Sequence, residues 1–186
     1  DDMAELSRLA GRFHELPWQS IVQEIAAAAR ANHIDEAALE DHARASAAGF
    51  LELLDLPSGE GEALDLALQS ALERAVAGLR ERVAAGIDKT KKTADALDVY
   101  ERALLRLAAH RALPWPDWAS LSGQAAAAKS DPLCADVREA AAALLSHPQL
   151  REDCEAAVRL CFGLARRTLA AYRRFKRERR AIDFVD

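Results

Sequence analysis

Glycine, aromatic residues and cysteine are all scarce in this chain. Eight glycines and 5% aromatics, in a body rich in Ala, Leu, Arg and Glu, argue against a disordered chain and for an all-helical globular one. The three cysteines, Cys134, Cys154 and Cys161, are an odd number without CxxC spacing, so neither a disulfide framework nor a zinc site is signalled. Cys154 and Cys161 stand seven apart on one helix face and read as small buried apolar residues in a reducing cytoplasm. No apolar run approaches the roughly 20 residues of a membrane span, so no membrane partner is expected. The phosphate loop GxxxxGK[ST] is absent, and the Gly59 and Gly61 pair in "SGEGEA" follows no strand and reads as a turn. His14, His33, His42, His110 and His147 are scattered without an HExxH pair, and acidic neighbours such as Glu40 and Asp41 fall on ordinary helix surfaces. No catalytic residue, cofactor-binding residue or metal ligand is therefore expected here, and the chain alone is not expected to be an enzyme.

What is present is helix after helix. With 186 residues the chain has enough material for one sizeable core or two small ones. Leu6, Leu9, Phe13 and Leu16 recur at helical spacing up to Pro17, and a second helix runs from Trp18 through Ile21, Val22 and Ile25. Asp35 is placed to cap a third helix reaching Leu54. After the loop "LPSGEGEA", Leu64, Leu68, Leu72, Val76 and Leu79 mark a fourth that Gly86 ends. A fifth spans about Thr90 to Leu113. "LPWPDWASL" reads as a loop, with Trp115 and Trp118 plugging it onto the core rather than stacking on bases. A shorter helix follows from Pro132 to about Leu145. The expected fold is an all-α helical bundle with a long protruding C-terminal helix.

That last helix is expected from about Gln149 to Arg180, roughly 45 Å at 1.5 Å per residue. Its apolar stripe runs Cys154, Val158, Cys161, Ala165, Leu169, Tyr172 and then lands on Lys176 and Arg179, leaving the final turns without a conventional buried face. Charge follows the same division. Residues 1–150 hold 15 basic and 24 acidic residues, whereas residues 151–186 hold 10 and 6. Arg166, Arg173, Arg177 and Arg180 line up at 100° per residue, and Arg167 and Arg174 widen the line to an arc. It reads either as a solvated face or as a phosphate-contact surface. The net charge of −5 is not that of a free-standing basic DNA-binding domain.

The closing stretch "AYRRFKRERRAIDFVD" resembles a segment of UvrD/Rep-type superfamily 1 DNA helicases, in which an aromatic-then-basic helix leads into an (L/I)-D-F-x-D motif. The matching residues are Tyr172, Lys176, Ile182, Asp183, Phe184 and Asp186. "DKTKKTADAL" and "LPWPDWASL" look like the insertion of the longer, RecB- or AddA-like members. The resemblance implies that residues 1–181 are a helical insertion, subdomain 1B, and that residues 182–186 begin the return into a motor domain of the same polypeptide. The acidic start, without an initiator Met, and the abrupt end are expected to mark a segment excised from such a chain. For the parent, the resemblance implies ATP-dependent DNA unwinding in repair or recombination, with ATP and Mg²⁺ bound by motifs outside this sequence. For this chain it implies contact with DNA through the arc, with Lys89, Lys91, Lys92 and Lys129 as further candidates. The alternative is an independent α-helical protein-interaction module that uses the Trp loop or Ala-rich faces.

Overall fold

A computed structural model describes residues 2–14, 16–109 and 111–179, and these divide into two compact units. The first unit draws on residues up to 11, on 15–54 and on 151 onward, and comprises α1 (Asp2–Arg12), α2 (Trp18–Ala31), α3 (Glu36–Leu51) and nearly all of α8 (Pro148–Arg179). The second, residues 12–14 and 55–150, holds α4 (Gly61–Ala84), α5 (Lys91–Ala108), α6 (Trp115–Gly123) and α7 (Ala135–Ala142). No strand occurs among the described residues, so the chain is all-α as the composition predicts. Two compact units are one of the two arrangements that the chain's length allows.

In the first unit, helical spacing brings Val22, Ala26 and Ala29 of α2 onto Leu6, Leu39, Cys161, Ala165 and Leu169, with Trp18, Ile21 and Phe162 around them. Burying each Leu contributes about 1.5–3 kcal/mol, and the alanines let backbones approach closely. Asp35 caps α3 as expected, accepting from the Ala38 N–H at 2.7 Å. That helix stops at Leu51 rather than Leu54. The buried stripe of α8 is Cys154, Ala157, Cys161, Ala165 and Leu169, with Val158 only half-buried. The Cys154 thiol is pushed up to about 11 by burial, which leaves it protonated and inert at neutral pH. Asp153 is fully buried and accepts from Arg8 Nη2 at 3.1 Å, tying α1 to α8.

In the second unit, Leu68, Leu72, Ala75 and Leu79 of α4 face Ala96, Tyr100 and Ala103 of α5 and Val137 and Ala141 of α7. α4 ends as its Gly predicts. Gly86 takes φ +73°, its N–H meets the Val83 carbonyl, and the Ile87 N–H meets that of Arg82. The stretch read as the loop "LPWPDWASL" is largely α6. Pro114 precedes that helix and Pro116 sits in its first turn, where no intrahelical donor is required. Trp115 and Trp118 are 3% and 0% exposed, with His147 edge-on to both at centroid distances of 5.1 and 5.4 Å. His147 Nδ1 accepts from the Gln149 N–H, so it caps α8 and carries its proton on Nε2, 3.7 Å from Asp65 Oδ1. Two other boundaries shift: α5 stops at Ala108, and the expected helix from Pro132 to Leu145 resolves into α7 between 3₁₀ turns at Asp131–Cys134 and Ala143–Ser146.

Candidate nucleic-acid interface

The arginine arc on α8 is not uniform. Arg166 Nη1 lies 3.3 Å from Glu40, Arg167 Nη2 2.5 Å from Asp2 and Arg173 Nη1 3.3 Å from Glu36. All three pairs lie within the first unit, and each neutralises a residue expected to face DNA. Arg174 and Arg177 are exposed, and no carboxylate of the described residues lies within ion-pair distance of either. Arg180, Ile182, Asp183, Phe184 and Asp186 lie outside the described residues.

Of the motif residues, Tyr172 and Lys176 are both half-buried. The Tyr172 ring has the Arg30 guanidinium 4.6 Å from its centroid and the Lys176 ammonium 5.8 Å away, distances at which the ring face attracts a cation. Lys176 therefore does pack, against the expectation that the apolar stripe simply runs out there. Together with His33, Arg173, Ala29 and Leu169 these residues line a groove of about 300 Å³. His33 reaches it in a left-handed conformation, φ +53°, as the residue that ends α2: its N–H meets the Arg30 carbonyl, and the Ile34 N–H meets that of Ala29. Arg30 and His33 are not signalled as site residues by the sequence. The "RANHID" that contains them signals only a helix end.

The four lysines come together in the second unit around a buried carboxylate that the sequence motifs also leave unmarked. Asp88 is 4% exposed. Its Oδ1 accepts from the Thr90 N–H at 3.1 Å and the Thr90 hydroxyl at 2.8 Å; its Oδ2 accepts from Thr93 at 2.8 Å and Ser130 at 2.7 Å. Four donors, the Ser130 hydroxyl foremost, hold its carboxyl well below the usual carboxylate range. The Thr93 hydroxyl oxygen also accepts from the Ala127 N–H at 3.1 Å, and Arg82 Nη1 donates to the Lys129 carbonyl. These bonds fix the segment 127–131 onto the α4–α5 corner. Lys129, 37 positions beyond Lys92 in sequence, is thereby brought to the start of α5. The spacing D-x-T-x-x-T is the available signal, since Asp followed by Thr at a helix start is a cap pattern.

Comparison of the chain with protein-family models, with curated proteins and with solved structures finds no match. Among the described residues no group of three or more His, Cys, Asp or Glu could hold a metal ion, and no helix is long and apolar enough to cross a membrane.

Proposed function

We propose that this chain is an accessory DNA-engaging subdomain of an ATP-dependent DNA helicase of the UvrD/Rep type. The observation that carries the reading is the end of α8, where Arg174 and Arg177 stand exposed without a carboxylate partner among the described residues, in the helix that leads to the I-D-F-V-D stretch. Cations without an internal anion are free to displace counterions from a phosphate backbone, which is the main source of sequence-independent DNA affinity. Phosphate contacts of this kind position a domain on DNA without reading bases. ATP and Mg²⁺ belong in this reading to motor domains of the same polypeptide, to which no residue of this chain is assigned. The other reading, a protein-interaction module that uses the Trp loop or Ala-rich faces, has less support from the Trp loop, whose two indoles are buried. The coding sequence on either side provides the test. A GxxxxGK[ST] phosphate loop upstream and further motor motifs downstream are expected, and a stop codon directly after Asp186 would overturn the proposal.

A further inference from the structure

The second unit carries a cationic surface that owes nothing to α8. Lys89, Lys91, Lys92 and Lys129 are all exposed, and none has a carboxylate of the described residues within ion-pair distance. Lys89 folds over Gly86, its Cε 3.3 Å and its Nζ 3.5 Å from where a Cβ would stand there. Lys91 and Lys92 open α5, whose N-cap Thr90 is in turn hydrogen-bonded to Asp88. Lys92 is near enough to the 127–131 segment that its charge helps to lower the Asp131 carboxyl, after the larger effect of the Arg138 hydrogen bonds. Arg82 joins through its bond to the Lys129 carbonyl.

The acids nearby do not cancel this charge. Asp88 is satisfied by four neutral donors and sits beneath the surface, Asp131 is held by Arg138 at 3.0 Å, and Glu81 and Asp95 make no ion pair with these lysines. Like charges gathered from three chain segments repel one another, and a bound polyanion relieves that repulsion while releasing its own counterions. Asp88 accepts from neutral donors, so none of the four ammonium groups is drawn onto it. The Asp88 hydrogen bonds hold the segments together without consuming the charges they present. An exposed array of separate ammonium groups, with no exposed Phe, Tyr or Trp of the described residues among them, suits a run of phosphodiesters rather than a stacked base.

We infer that the Lys89, Lys91, Lys92 and Lys129 cluster, with Arg82, is a nucleic-acid backbone site of the second unit, separate from the arginines of α8. The inference rests on the DNA-engaging reading for its biological setting, but its chemistry is independent of α8. The test uses the full 186-residue chain and a fluorescein-labelled random-sequence duplex of about 20 base pairs, titrated by anisotropy over a range of salt. One variant carries Lys91→Glu, Lys92→Glu and Lys129→Glu; the other carries Arg174→Glu and Arg177→Glu. At about 0.9 per phosphate on a log–log plot, the lysine variant is expected to lose roughly 3 from the salt slope and more than about tenfold in affinity at low salt. Loss of binding on lysine reversal supports the site whether or not the arginine variant also weakens. Loss confined to the arginine variant overturns the lysine site and leaves the helicase reading standing. Unchanged affinity and slope in both variants, or no duplex binding by the parent chain, overturns the lysine site and the α8 reading together.

Discussion

Asp88 shows how one residue can serve a surface it never touches. Its carboxylate is an acceptor only, and four neutral donors satisfy it, so removing any one of them leaves a buried charge less well solvated. Ser130→Ala is expected to cost about 1.5–3 kcal/mol, the range for a hydrogen bond to a charged group, as read from urea unfolding at pH 7. The pH dependence has a definite sign. The folded-state pKa lies below the ordinary value of 3.8, so the unfolded chain takes up the proton first as pH falls. The stability from Asp88 is thus present above about pH 4 and is lost as pH falls through the depressed folded value. Asp88→Asn is expected to be less stable at pH 7 and to lose less on moving to pH 3. An unchanged acid slope in that variant would mean that another carboxylate governs it.

Helices differ in how openly the sequence declares them. α2, α4 and α8 are legible because their apolar residues repeat at three and four, and the start of α3 and the end of α4 because Asp35 and Gly86 are end signals with one physical meaning each. α6 is not, since two prolines and two tryptophans within five residues look like a loop until the prolines are seen to occupy the N-cap and the first turn. The division into two compact units is not given by the periodicity, because local spacing shows which face is apolar but not which helix covers it. For the same reason the arc on α8 is legible as charge, while its pairing with Asp2, Glu36 and Glu40 is not. Two helical glycines separate propensity from packing. Gly163 lies in α8 with nothing within 4 Å of where a Cβ would stand, so Gly163→Ala is expected to stabilise by about 0.5–1 kcal/mol. A Cβ at Gly78 in α4 would stand 3.2 Å from both Leu133 methyls, so Gly78→Ala is expected to gain less than Gly163→Ala or to destabilise. Equal gains in thermal melts of the two variants would show that the Leu133 contact is easily relaxed.

Taken entire, the molecule is acidic, at −5, yet it presents two local groups of cations, one at the end of α8 and one around Asp88. Net charge therefore opposes DNA binding at long range, while the local groups favour it at contact, and screening weakens the first more than it loosens close pairs. The combination implies weak, sequence-independent binding with a bounded salt dependence. Two arginines alone give a log–log slope of about −2, and all six candidates, Arg174, Arg177, Lys89, Lys91, Lys92 and Lys129, give about −5. The direct measurement is the affinity of the unaltered chain for duplex DNA of several unrelated sequences as salt is varied. A slope between roughly −2 and −5, the same for every sequence, is predicted. No measurable binding at low salt, or a slope shallower than about −1, would contradict phosphate contact as what this chain does.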